Sequence, residues 1–239
     1  MNAKNAHADA TAAASSPYDV APRWHTYALV TLILGVALIG TLATSPAPVP
    51  SSAADGTTRL VAMYLPVVVV QLALAGYVCR VGRPRNMFTS LLGKRWNDTQ
   101  RAATDVTLAF LIVAGAIALS HVEFTRWAVA RGGVASELLP TNMTERTAWL
   151  FVAVIVGVCE ETVYRGYLQT QLGAFTRSAA AGVALQAILF AVAHGEQGPR
   201  GALLAGFYGL VFGVVARARS SLIAGMLAHV AIDMAASWR

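Results

Sequence analysis

The stretch TYALVTLILGVALIGTLATS, residues 26–45, contains no charged side chain and runs into the segment SPAPVPSSAADG. At ~1.5 Å of rise per residue, about 20 apolar residues in a helix cross the ~30 Å hydrocarbon core of a bilayer. Segments rich in proline and serine end helices and form loops. The stretch therefore predicts a transmembrane helix that ends in a loop.

The composition of the whole chain extends this prediction. Of 239 residues, 56% are hydrophobic and 13% are charged, against about a quarter charged in an ordinary soluble domain. The net charge is +6, but six of the cations lie in the connector 80–101, as the positive-inside rule predicts for a cytoplasmic loop. We therefore expect an integral membrane protein whose partner is the lipid bilayer and not nucleic acid. The alanine-rich and arginine-rich composition favours a multi-pass protein of a bacterial inner membrane.

Further apolar runs follow along the chain, at residues 60–78, 105–120, 147–172, 179–194, 201–216 and 221–236. Together with the first stretch they predict an all-α polytopic membrane bundle of about seven transmembrane helices, within a range of roughly six to eight. The later runs are short and rich in small residues. Gly209 and Gly213 have the GxxxG spacing that lets helix backbones approach closely. These runs therefore predict a compact core inside the membrane.

The segment VCEETVYRG, residues 158–166, places two glutamates and an arginine directly after an apolar run. A charged side chain at the bilayer centre costs ~2.5–3.5 kcal/mol on insertion scales, so those that are kept usually face a bundle interior and have a function. Three more polar residues lie in the later runs: His194, His229 and Asp233. At ~1.5 Å per helical residue, they and Glu160 lie about 15–24 Å from the cytoplasmic ends of their helices. Three helices therefore bring these side chains to one layer of the membrane.

The spacing within each helix predicts how these residues pair. Residues four apart share a helix face, so we expect Glu161 to pair with Arg165 and His229 to pair with Asp233. Glu160 lies about 100° round the helix from Glu161 and is left outside that pair. Burial beside a like charge suits Glu160 to act as a general base.

The other polar residues then have complementary tasks. We expect His194 to share a water molecule with Glu160, and His229 with Asp233 to form a second polar wall that stabilises an oxyanion or orients a substrate carbonyl. The structural alternatives are a plain i to i+4 ion pair in the first motif and a helix–helix hydrogen bond for His229.

The remaining polar and aromatic residues are expected to have no part in this chemistry. The other histidines are predicted at solvated positions, the tryptophans in the membrane interface, and the two cysteines as buried thiols without a disulfide. These residues are His7, His25, His121, Trp24, Trp127, Trp149, Trp238, Cys79 and Cys159.

Three motifs carry a resemblance to a known family. EETVYR at 160–165 is similar to EExxxR, FAVAH at 190–194 to FxxxH, and HVAID at 229–233 to HxxxN/D of the CPBP family, the CAAX-processing and bacteriocin-processing intramembrane endopeptidases. The similarity covers residues 148–236. It implies a protease that hydrolyses a peptide bond in a membrane-associated protein or peptide. In the eukaryotic branch of the family, the substrates are prenylated proteins of the CAAX type.

The resemblance also implies roles for single residues. It assigns activation of the water to Glu160 and His194, and the oxyanion side to His229 with residue 233. The two other charged residues of the first motif become supporting residues. Prenyl-processing members more often have Asn at the last position. An ionised Asp233 cannot donate to an oxyanion, so it is either protonated or orients His229.

The sequence is compatible with either a zinc-dependent or a metal-free enzyme. The family has been described both as metalloproteases and as glutamate-type proteases, and zinc held by Glu160, His194 and His229 is a candidate. The chain has no HExxH motif. Because a glutamate and a histidine that polarise water suffice for hydrolysis, we favour the metal-free form.

The domain organisation follows from these assignments. Residues 1–24, rich in Ala, Ser and Thr, predict a disordered tail, and residues 25–239 a single transmembrane domain with its catalytic core at 147–236. Two other functions compete with the protease: an ion-coupled transporter, and a non-catalytic immunity or scaffold protein of the same fold. No inverted repeat is detectable, and all three motifs keep chemically competent residues, so the protease is preferred.

Overall fold

The computed structural model describes residues 21–43, 59–82, 98–121 and 139–237, which form seven apolar helices. These are α1 (Arg23–Ala43), α2 (Leu60–Gly82), α3 (Thr99–Ser120), α4 (Met143–Thr176), α5 (Ala179–Ala193), α6 (Gly198–Arg219) and α7 (Ile223–Ala236). Within these residues there is no β-strand, so the predicted all-α bundle is confirmed. Residues 1–20 of the predicted tail lie outside the described residues, and α1 begins at Arg23, just inside the predicted end of that tail.

Five of the helices in the described ranges are long and apolar enough to cross a membrane, namely α1, α2, α3, α4 and α6. The other two, α5 with 15 residues and α7 with 14, do not reach this length. At ~1.5 Å per residue they are about 22 Å and 21 Å long, against ~30 Å of hydrocarbon. The predicted number of helices is therefore right, but two of them are too short to be full spans.

Contacts at the helix ends show that successive helices run in opposite directions. At one end of the bundle, Arg59 Nε at the start of α2 lies 3.2 Å from Glu145 Oε1 at the start of α4. At the other end, Arg219 Nε at the end of α6 lies 2.7 Å from Asp105 Oδ1 near the start of α3. Ser221 donates to the second oxygen of Asp105 at 3.1 Å. The chain is therefore a multi-pass membrane protein, and the positive-inside rule predicts that the Asp105 end is cytoplasmic.

Small residues bring α6 close to α4 and α5. A Cβ atom on Gly209 would lie 3.1 Å from Cα of Ala187, and one on Gly213 would lie 2.8 Å from Oε1 of Gln169. Two buried glutamine amides use this proximity. Gln186 Nε2 donates to the Gly209 carbonyl at 2.8 Å, and Gln169 Nε2 donates to the Gly213 carbonyl at 3.1 Å. The predicted close approach at the GxxxG pair is confirmed, and these amides tie the helices together.

The start of α1 is bonded to α4. The side-chain amide of Gln171 donates to the Ala21 carbonyl and accepts from the Ala21 N–H. One turn further on, the hydroxyl oxygens of Thr26 and Tyr167 lie 3.1 Å apart. These contacts attach the first helix to the segment that carries the glutamate motif.

Two of the minor predictions are wrong. His25 is not at a solvated position, because it is half-buried and its Nδ1 lies 2.6 Å from the hydroxyl of Tyr77 on α2. Cys79 is only half-buried, whereas Cys159 is buried, and both are free thiols. His121 is exposed, as predicted. The predictions for His7, Trp127 and Trp238 lie outside the described residues.

Candidate active site

The first motif lies at a change of helix type within α4. The residues Glu161–Leu168 form a π-helical segment, which ends where the Gln169 N–H donates to the Tyr164 carbonyl, five residues back. All eight residues of the segment are buried. Glu160, the last residue before this segment, has α-helical backbone angles, and the rotation of about 100° expected between the two glutamates stays a prediction. π-helical segments are rare and frequently occur at functional sites.

Glu161 and Arg165 form the predicted ion pair. Arg165 Nη1 lies 2.9 Å from Glu161 Oε1, and both side chains are 0% exposed. The guanidinium carbon lies 4.3 Å from the centre of the Phe190 ring and 5.3 Å from that of Phe212. A cation over aromatic faces is stabilised by their quadrupoles, most strongly when it is desolvated. The pair therefore joins the motif of α4 to both α5 and α6.

His229 on α7 lies among three carboxylates. Its Nδ1 is 3.1 Å from Glu161 Oε1, while its Nε2 is 3.7 Å from Glu160 Oε2 and 3.6 Å from Asp233 Oδ2. Because a carboxylate accepts at Nδ1, that nitrogen carries a proton, and Nε2 is directed at the other two carboxylates. Both Nε2 distances exceed a direct hydrogen bond, and a water molecule can bridge such separations.

Glu160 has one bonded and one unbonded oxygen. Its Oε1 accepts a hydrogen bond of 2.7 Å from Nε2 of Gln71 on α2. Its Oε2 is buried and has no hydrogen-bond partner among the described residues. Sequence reasoning missed Gln71, although a single amide within the apolar run of α2 is a signal that could have marked it. The amide holds the carboxylate so that Oε2 faces His229.

His194 follows the last residue of α5 and is half-buried. Its Nδ1 donates to the Phe190 carbonyl at 2.8 Å, so Nε2 of the neutral ring is an acceptor. No direct bond to Glu160 is seen within the described residues, and the expected shared water stays a prediction. The ring is near enough to Asp233 for an electrostatic interaction between them.

Asp233 lies at the edge of the group. Its backbone carbonyl accepts from Trp149 Nε1 at 2.8 Å, a contact that the sequence analysis missed when it placed Trp149 in the membrane interface. The nitrogen of His229 that bonds a carboxylate is Nδ1, and its partner is Glu161. Asp233 was one candidate for orienting His229, but the carboxylate bonded to Nδ1 is that of Glu161. Asp233 instead faces Nε2, beside Glu160.

The comparison with known families concerns this part of the chain. Residues 142–235 match the family model described as Type II CAAX prenyl endopeptidase Rce1-like. The match supports membership of the CPBP family. The matched segment contains all four predicted site residues, Glu160, His194, His229 and Asp233. No curated protein and no solved structure matches the chain.

The CPBP family raises the question of a metal, and the donor geometry addresses it. Within residues 21–43, 59–82, 98–121 and 139–237, no three His, Cys, Asp or Glu side chains are arranged to hold a metal ion. The candidate set of Glu160, His194 and His229 is not found as such a group, and the preference for the metal-free form stays a prediction. His229 donates Nδ1 to Glu161 and His194 donates Nδ1 to its own helix, so Nε2 is the nitrogen of each ring that a metal would bind.

Proposed function

We propose that the chain is an intramembrane endopeptidase that hydrolyses a peptide bond of a membrane-associated protein or peptide with a water molecule activated by Glu160. The observation that supports this most is the buried, unbonded Oε2 of Glu160, 3.7 Å from Nε2 of His229. A buried carboxylate oxygen without a hydrogen-bond partner is free to accept a proton from a bound water molecule, as a general base does. Membership of a protease family supports the same activity.

The proposed reaction needs only the peptide and water. Glu160 Oε2 takes a proton as the water oxygen attacks the scissile carbonyl carbon, and the carbonyl electron pair moves onto its oxygen. When the C–N bond breaks, Glu160 returns the proton to the leaving nitrogen. The products are a carboxylic acid and an amine. The hydrogen bond from Gln71 holds the carboxylate in one orientation throughout.

The neighbouring residues are assigned by the atoms that they present. His194, with Nδ1 fixed by the Phe190 carbonyl, offers Nε2 as an acceptor for a second proton of the water. His229 donates from Nε2 to the oxyanion when its ring is an imidazolium. Asp233 lies 3.6 Å from that nitrogen and stabilises the charged ring. Glu161 and Arg165 hold the orientation of His229.

The substrate follows from the location of the site. Because Glu160 is buried on a membrane helix, a peptide that reaches it must be embedded in the bilayer or anchored to it. We propose such a segment as substrate, with CAAX-type prenylated proteins and bacteriocin-like peptides as the two classes that the family suggests. The proposed setting is a bacterial inner membrane.

The experiment uses the full chain, purified and reconstituted in vesicles with membrane-anchored fluorogenic peptides. We expect wild type to release product peptides that mass spectrometry identifies. We expect Glu160→Gln to lower the cleavage rate about 10²–10⁴-fold, the usual contribution of a general base. The matched control is Glu196→Gln, at a half-buried glutamate in the turn between α5 and α6. Equal rates for the Glu160 variant and wild type would refute the proposal. Ion flux without any product peptide would favour a transporter.

A further inference from the structure

The side chain of Trp149 connects α4 to the end of α7. Its Nε1 donates to the backbone carbonyl of Asp233 at 2.8 Å. Trp149 lies about three helical turns before Glu160 on the same helix, outside all three sequence motifs. It therefore reaches the group proposed to cleave peptides only through the backbone of Asp233.

The carbonyl of Asp233 lacks the bond that a continuing helix would give it. It lies in the last turn of α7, which ends at Ala236. The N–H of Ser237 donates to the Met234 carbonyl at 3.2 Å instead, and the Ser237 hydroxyl donates to the same carbonyl at 2.6 Å. The last carbonyls of a helix have no partner within it and need another donor. Among the described residues, the indole of Trp149 is the donor that the Asp233 carbonyl has.

The indole is itself held between helices. Trp149 is half-buried, and its ring lies 5.8 Å from that of Tyr64, a buried residue near the start of α2, in an edge-on arrangement. Further along α4, a Cβ atom on Gly157 would lie 3.0 Å from the backbone nitrogen of Val230. Helix α7 is therefore in close contact with α4 at Val230 and is bonded to it again at Asp233.

The position of the Asp233 carboxylate matters because two carboxylates face one nitrogen at nearly equal distances. Nε2 of His229 lies 3.6 Å from Asp233 Oδ2 and 3.7 Å from Glu160 Oε2. No described residue makes a direct hydrogen bond to the Asp233 carboxylate, so the backbone of α7 determines where it lies. A misplacement of about 1 Å in a reacting group can cost about 10²-fold in rate.

We propose that Trp149 is a positioning residue for the hydrolysis: its indole holds the last turn of α7 so that the Asp233 carboxylate stays beside His229. This inference rests on the proposed function and adds a residue from outside the three motifs. Trp149 acts through Asp233, because its one recorded hydrogen bond goes to that backbone and to no side chain of the group.

The test is a double-mutant cycle with the purified full chain, reconstituted in vesicles with membrane-anchored fluorogenic peptides. The values of kcat and KM are measured for wild type, Trp149→Phe, Asp233→Asn and the double variant. Phenylalanine keeps an aromatic ring beside Tyr64 but removes the indole N–H. The matched control is Trp24→Phe, since Trp24 is 61% exposed at the start of α1. Hydrogen–deuterium exchange of the α7 amides is measured on the same proteins without substrate.

We expect Trp149→Phe to lower kcat about tenfold, the equivalent of one lost hydrogen bond. The value of KM should stay within about twofold of wild type, because the indole holds the carboxylate and does not bind the peptide. In the background of Asp233→Asn, the same substitution should change kcat by less than about twofold, since its effect needs the carboxylate. Exchange at the end of α7 should be faster in Trp149→Phe and unchanged in Trp24→Phe.

Equal kcat for Trp149→Phe and wild type overturns the proposal. So does a loss of the same size with and without Asp233→Asn, which is the result that general destabilisation gives. If Asp233→Asn is inactive, exchange decides: a lower kcat without faster exchange at the end of α7 overturns the proposal, and faster exchange with unchanged KM supports it. A wild type that releases no product refutes the proposed function itself, and this outcome is distinct because every variant is then compared with an inactive protein.

Discussion

The ion pair of the first motif makes a quantitative prediction about stability. Replacing Arg165 by Met leaves the carboxylate of Glu161 fully buried with His229 as its remaining bonded partner. Breaking a buried pair by removing one partner costs about 3–5 kcal/mol, because the other charge stays uncompensated. The contact with Phe190, at 4.3 Å, is lost at the same time. We therefore expect Arg165→Met to lower the free energy of unfolding by about 3–5 kcal/mol.

A second variant and a control test the reason for this loss. The double variant Glu161→Gln with Arg165→Met removes both charges, so it should be less destabilised than Arg165→Met alone. The exposed pair of Arg101 and Asp98, 3.4 Å apart with side chains 52% and 53% exposed, is the matched control. Arg101→Met should change stability by less than about 1 kcal/mol.

Stability is measured by titrating the purified proteins from mild detergent into denaturing detergent and following tryptophan fluorescence. A loss below about 1 kcal/mol for Arg165→Met would contradict the account of a buried, uncompensated charge. So would a double variant that is as unstable as the single one.

Three further predictions use the peptide-cleavage assay. Gln71→Leu removes the amide that donates to Glu160 at 2.7 Å, and we expect the rate to fall about tenfold while the fold is kept. Gly225→Ala places a Cβ atom 2.9 Å from Glu161 Oε2 and should slow cleavage about tenfold or more, whereas Gly76→Ala, with nothing within 4 Å, should leave the rate unchanged. Treatment with a strong zinc chelator should leave the rate unchanged if the proposed water activation by Glu160 needs no metal, and no group of three ligand side chains is found in the part of the chain that the structure describes. Equal rates for the two alanine variants, or activity lost to the chelator and restored by zinc, would contradict these expectations.

Hydropathy was sufficient to predict the helices, because in a bilayer each spanning segment must satisfy its own backbone hydrogen bonds. Spacing was sufficient to predict two pairs, since Glu161 with Arg165 and His229 with Asp233 lie four residues apart in the chain. Both depend on local sequence only. They needed no knowledge of how one helix packs on another.

The contacts that were missed depend on packing between helices. Gln71 reaches Glu160 only because α2 packs against α4. The sequence around Gln71 does not indicate which residue its amide contacts. The π-helical segment was missed because its backbone hydrogen bonds leave no pattern in the spacing of the side chains. His194 follows the last residue of its helix. Its ring donates to the Phe190 carbonyl of the same helix and not to a residue of another helix.

The two short helices of the bundle have a consequence for the lipid around them. His194 directly follows α5 and His229 lies in α7, and the lengths of these helices fall several ångströms short of the hydrocarbon thickness. Such a mismatch is relieved when the bilayer thins beside the helix ends. Longer acyl chains oppose this thinning and thicken the hydrocarbon layer that water and a polar peptide must cross. The rate of hydrolysis should therefore fall as the acyl chains of the host vesicles are lengthened.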